Sequence, residues 1–280
     1  MSWTPSDREL ERARARRSIH QRGVVLSTVV TVVVLAALVV GVTSAPGWDR
    51  FREFFLSWPD AKAAFPDIAK GFWINVKMFL IAEPLILLLG GLVAITRGSV
   101  SPWLTPARFL AVIYTDLFRG VPTILVVYVL ALGIPTLQLQ GMTTSLFWLG
   151  TIALVLSYGA YVAEVIRSGI ESIHPSQVAS AEALGLSRTQ TMRFVVLPQG
   201  VRRVVPPLLN DFVSLQKDTA LVGTVAVFES LYVAADYGNY NFNFTPFLVT
   251  AAFFVALTVP LARITDWLGR RAMERERGSR

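Results

Sequence analysis

The residues of this chain that could do chemistry are ionisable groups set inside apolar sequence. Glu83 lies in the apolar stretch Phe72 to Ile95, and Glu164 and Arg167 close the one that begins at Leu146. Asn210, Asp211, Gln216, Lys217 and Asp218 interrupt a third, Val204 to Leu231, followed by Thr219. If these stretches cross a membrane, such groups face a bundle interior or a water-filled path, because lipid does not accept them. Lys217-Asp218 is the strongest candidate for a gate or substrate site. The bland reading is a self-neutralising pair, yet neighbours on a helix point about 100° apart, so each needs a further partner. Glu83 reads equally as part of a substrate path or as the partner of another span's cation. Glu164 and Arg167 are spaced i, i+3 and share a helix face, which favours a packing pair over substrate contact. Nothing here makes a catalytic centre or a metal site. The chain has no Cys, and its only histidines are His20 and His174. It has no nucleophile motif and no GxxxxGK[ST] loop to hold ATP.

The polar insert Ser176 to Leu221 organises the second half of the chain. Ala179, Ala181, Ala183 and Leu184 favour a helix, and Gly185 is a natural stop. Ser187 can cap a second helix, and Leu197-Pro198 is expected to end it. The insert therefore reads as helix, Gly turn, helix, Pro stop, outside the bilayer. A hairpin this short cannot bury its own core and needs a partner.

These residues resemble the cytoplasmic coupling loop of ABC importer permeases of the polar amino acid uptake family. Ala181, Gly185 and Leu197-Pro198 fall at the spacing of its EAA element, with Gln177 before it and Leu184-Gly185-Leu186 at its end. Ala179 replaces the Glu of that element and Ser180 its first Ala, with Glu182 nearby. Phe118-Arg119-Gly120-Val121-Pro122 is similar to the family's FRGxP element, and Ala160-Tyr161 with Glu164 and Arg167 to its Ala-Tyr-x-x-Glu-x-x-Arg pattern. Gly-x-Pro loosens a helix and frees backbone groups, and the resemblance puts Arg119 near the cytoplasmic mouth. It covers roughly Gly71 to the C-terminus and implies a type I importer transmembrane domain. It also implies that Gln177, Ala181, Glu182, Ala183, Leu184 and Gly185 couple to an ATPase.

Composition sets the class independently. Of 280 residues, 53% are hydrophobic and 16% charged, and the mean hydropathy is +0.53. That describes a polytopic helical membrane protein. The net charge of +7 comes from basic residues beside apolar runs, as the positive-inside rule demands, so nucleic acid is not an expected partner. The expected order is a basic cytoplasmic tail (1–23), an added N-terminal span (24–42), an extracytoplasmic loop (43–71) and a transmembrane domain (72–268). That domain carries the coupling loop 171–203, and a second tail follows (269–280). The first span could also be read as a signal peptide, but about 19 apolar residues reach across a hydrocarbon core of about 30 Å. Aromatic Trp48, Phe51, Phe54 and Phe55 suit an interfacial helix in the loop. Glu229 to Thr245 reads as a polar loop. Six spans put both termini on the same side as Arg97, Arg108, Arg188, Arg193, Arg202 and Arg203.

The expected architecture is all-α, with six transmembrane helices: a type I permease fold with one extra span. The expected function is the permease subunit of an ATP-binding-cassette importer for polar amino acids in a bacterial cell membrane. It does no covalent chemistry. The resemblance implies ATP and Mg on partner ATPase subunits, a second permease subunit and an extracytoplasmic amino-acid-binding protein. The rival reading is a secondary transporter driven by an ion gradient, which explains Glu83, Lys217 and Asp218 but not the insert, and no inverted repeat is visible. A membrane-embedded enzyme is a third, for which no constellation speaks.

Overall fold

The computed structural model describes residues 6–99 and 101–277. They divide into two compact units, Met1–Leu56 and Ser57–Arg280. In the first, α1 (Asp7–Thr43) is followed by the short α2 (Trp48–Phe55). From Val24 to Val42 the apolar side chains of α1 are exposed, as a helix facing lipid requires. In α2, Trp48, Phe51 and Phe55 stack in sequence, with centroids 5.8 and 5.0 Å apart. This is the i, i+3, i+7 spacing of an amphipathic face.

The second unit comprises α3 (Trp58–Gly98), α4 (Thr105–Gly120), α5 (Thr123–Thr136), α6 (Leu146–Glu171), α7 (Pro175–Ala183), α8 (Arg188–Thr191), α9 (Leu197–Asp218), α10 (Ser230–Asn241) and α11 (Thr245–Arg277). No strand occurs among the described residues. Helix α6 is central and packs on α3, α4, α5 and α9. Met78, Ile86, Val127, Leu149, Leu154, Leu215 and Val222 form the buried core. Small residues set the closest approach: a Cβ on Gly90 of α3 would overlap the Val162 side chain of α6. Helices α9 and α11 are tied by Thr258, whose hydroxyl donates to Gln216 Oε1 at 2.6 Å. Four helical stretches among the described residues are long and apolar enough to cross a membrane, or six if each of two bent pairs counts as one span.

The structure departs from the sequence expectations at five places. Helix α3 starts at Trp58, within the stretch expected to be the loop 43–71, because Ala64, Ile68 and Gly71 carry a buried helical stripe. The expected span Phe109 to Gly133 is two helices, α4 and α5, meeting at 105°. Val121 and Pro122 between them are extended, as the residue before a proline prefers.

Leu197-Pro198 does not end a helix but opens α9. Pro198 has no N–H to give to the preceding turn, and the chain widens into a π-turn over Met192–Val196. The Leu197 N–H reaches back five residues to the Met192 carbonyl. The expected fifth span to Leu231 stops as an α-helix at Asp218 and tightens into a 3₁₀ segment, Thr219–Val225, closed by Ala226 at φ +62°. Last, the stretch expected to be the loop 229–245 is largely α10, capped by the Glu229 carboxylate, which accepts from the Leu231 and Tyr232 N–H groups at 2.9 and 2.7 Å.

Candidate functional site

The short helix α7 is bounded by local chemistry at both ends. His174 Nδ1 accepts from the Ser176 N–H at 3.2 Å, and Pro175 takes the first helical position. At the other end, Gly185 has φ +85°. Its N–H donates to the Glu182 carbonyl at 2.9 Å, and the Leu186 N–H to the Ala181 carbonyl at 3.1 Å. That pair is a Schellman closure, which needs a residue free to enter the left-handed region. Ser187 and Gln190 then form a full capping box for α8. Gln177, Glu182, Ala183, Leu184 and Gly185 are exposed, Leu184 at 84%. Ala181 is buried, so of the six expected coupling residues it alone faces the body of the protein.

Glu164 gathers charge from three helices. Its carboxylate accepts from Arg97 of α3 at 2.9 Å and from Arg167 of α6, and Arg119 of α4 lies 3.5 Å away. Arg97 also donates to Thr115 of α4 at 3.0 Å, and Arg167 also pairs with Glu171. Three guanidinium groups on one carboxylate keep the site net positive even with Glu171 counted, and they pin the ends of α3, α4 and α6 together.

The pathway candidates separate into groups. Glu83 of α3 is half-buried and lies within electrostatic reach of Asp211 of α9. Asp211 keeps Oδ2 buried without a hydrogen-bond partner. Asp218 accepts from the Tyr158 hydroxyl of α6 at 2.8 Å, and Asp211 lies within electrostatic reach of the same hydroxyl. Asp211 and Asp218 of α9 therefore lie near Tyr158 of α6, and Glu83 of α3 lies near Asp211. Lys217 is exposed and has no ion pair among the described residues. Asn210 is also exposed and lies apart, on a wall shared with α11.

Thr219 belongs to another network. Asn75 of α3 donates to Thr219 Oγ1 at 3.2 Å and to Glu229 at 2.9 Å. Its oxygen accepts from the Ser230 hydroxyl at 2.8 Å and the Ser230 N–H at 3.2 Å. Glu229 and Ser230 are fully buried. Gly71 makes room, since a Cβ there would stand 2.8 Å from the Glu229 carbonyl carbon. Sequence reasoning noted Asp211 on the polar span but did not single it out as a pathway residue, and it missed Glu229. The signal for Glu229 was a carboxylate three residues before Tyr232, the spacing of a cap. Among the described residues no group of three or more His, Cys, Asp or Glu side chains could hold a metal ion.

A helical membrane domain with acids inside its bundle and a capped polar hairpin between spans defines a transport permease. The chain belongs to the family of binding-protein-dependent transport system inner membrane components, whose sequence model matches residues 86–274. It is 32% identical over 204 residues to the probable glutamine ABC transporter permease protein of Bacillus subtilis (strain 168), covering 72% of this chain and 91% of that one. With the arginine transport system permease protein of the same organism it shares 30% over 200 residues, covering 71% and 89%. Among solved structures it resembles the crystal structure of an amino acid ABC transporter with histidines, with a TM-score of 0.67 and 26% identity over 74% of this chain and 94% of that one.

Proposed function

We propose that this chain is the membrane-spanning subunit of an ABC importer for polar amino acids, and that α7 transmits the ATPase cycle to the bundle. The observation that carries this reading is the presentation of α7. Its exposed face and the exposed Leu184 stand on a Schellman turn, while Ala181 anchors the inner face. A short, lightly charged helix of this kind fits a groove on a partner. Partner ATPase subunits then bind ATP and Mg and hydrolyse ATP, and this chain contributes no catalytic group. A second permease subunit completes the pathway, and an extracytoplasmic binding protein delivers the solute. Both termini lie in the cytoplasm, because that orientation gathers the basic segments on one side.

Glu83, Asp211 and Asp218 line the path taken by the substrate, with Lys217 beside them and Thr219 holding the backbone. Relatives named for glutamine and arginine transport support the amino acid class. Glu164 and Arg167 are structural. The test is co-purification from solubilised membranes, comparing the full chain with one lacking residues 176–185. An ATPase that accompanies the first and not the second supports the reading. Its absence from both would point instead to gradient-driven transport.

A further inference from the structure

A cleft of about 260 Å³ opens between α9 and α11, on the side of α9 that carries Pro206 and Asn210. It is distinct from the cluster of Glu83, Asp211 and Asp218, which faces α3 and α6. Asp266 and Arg270 line it, one helical turn apart on α11. Acid and base at i, i+4 in this order ordinarily pair. Here neither has an ion-pair partner among the described residues, and both project to the cleft. Gly269 keeps the space open between them: a Cβ there would meet only the Pro206 Cβ, at 4.0 Å. Asn210 adds an amide from the facing wall, both a donor and an acceptor.

The cleft lies at the basic rim of the membrane domain. Helix α9 leaves Arg202-Arg203 two turns before Asn210, and α11 ends its apolar run at Arg270-Arg271. Arg271 stacks on Trp267 at 3.8 Å, an aromatic and cationic anchor of the kind found at a headgroup layer.

We propose that this cleft binds a small zwitterion carrying a primary ammonium and an anionic group. Asp266 accepts from the ammonium, and the Arg270 guanidinium donates to the carboxylate or phosphate in its fork geometry. Two sources have this chemistry, an ethanolamine phospholipid headgroup and a free amino acid. The inference concerns binding at this cleft by this chain alone, so it can fail while the transport reading stands.

The test measures the melting temperature of the purified full chain in detergent as probes are titrated. The probes are lysophosphatidylethanolamine, free glycine and, as the control with no N–H to donate, lysophosphatidylcholine. The expected result is a saturable rise of about 3 °C or more with at least one of the first two. It should disappear in Asp266→Asn and Arg270→Gln, and also in Gly269→Leu, which fills the space while leaving both charges. Arg270→Lys should retain part of it. A rise with the lysolipid alone assigns a headgroup site, a rise with glycine alone a soluble amino acid site, and a rise with both a site that reads the shared chemistry. No rise, an equal rise with the choline lipid, or a rise that survives all three disabling variants overturns the proposal.

Discussion

The Asn75 side chain on α3 donates to the Glu229 carboxylate at 2.9 Å, across a separation of 154 residues. This bond joins the first helix of the permease unit to the start of α10. With Ser230 and Thr219 on the same amide, it holds the point where α9 gives way to 3₁₀ geometry. A carboxylate with no exposed surface persists only if its lone pairs are occupied, and Glu229 accepts from Asn75, Leu231 and Tyr232.

Glu229→Ala is therefore expected to strand two backbone N–H groups and the Asn75 amide. The cost is at least about 3 kcal/mol, each of the three buried unsatisfied groups contributing about 1–3. Thermal unfolding in detergent should show a clear fall in melting temperature. Asn75→Ala should lower it less. The double variant should fall short of the sum, since both changes break one network; strict additivity would mean that the two residues are not coupled.

Glu164 invites the complementary experiment. Replacing it with Gln leaves Arg97, Arg119 and Arg167 facing one another, and Arg97 is only 14% exposed. Loss of the shared partner of a part-buried guanidinium costs about 3 kcal/mol or more. Arg119→Ala removes a contact of 3.5 Å from a side chain 40% exposed, worth less than about 1 kcal/mol. Chemical denaturation of the two variants should rank them in that order, and equal losses would count against a hub centred on Glu164.

These sites differ in how far the sequence foretold them. Features closed by neighbours in the chain were legible. The Gly185 turn is a two-bond local motif, and Ser187 marks a cap whose partner Gln190 is three residues away. The i, i+3 spacing likewise brings Glu164 and Arg167 together, but the arrival of Arg97 and Arg119 depends on how α3 and α4 pack. Glu229 was legible as a cap from its spacing to Tyr232, but its burial was not, because that depends on Asn75 and Gly71 of α3. Pro198 misled for a different reason. The stop rule presumes an α-helix before the proline, and the chain keeps its course by widening one turn instead.

Tyr158 and Asp218 permit a test of the interior cluster. Tyr158→Phe removes the hydroxyl that donates at 2.8 Å and leaves the ring in place. It should alter uptake while the protein stays folded, at a cost of about 1.5–3 kcal/mol for one hydrogen bond to a carboxylate. Asp218→Asn should impair uptake more, since it also removes the charge. Lys217→Ala separates two roles: a change in substrate preference assigns Lys217 to the path, whereas lower expression alone makes it structural. Uptake of labelled amino acids in proteoliposomes containing the whole transporter would measure all three.

Gly185 offers the sharpest separation of folding from coupling. At φ +85° a β-branched residue is strained by roughly 1–2 kcal/mol, yet a Cβ there meets nothing within 4 Å. Gly185→Val should therefore leave the bundle folded and in the membrane while the Schellman closure opens and Leu184 loses its fixed presentation. Gly185→Asn, whose side chain tolerates the left-handed region, should be milder. Transport should fall in the order Val, Asn, wild type, with melting temperatures almost unchanged because the strain lies in an exposed turn. If Gly185→Val transports normally, a rigid α7 is not what carries the ATPase movement. If it melts far below wild type, the turn supports the bundle itself.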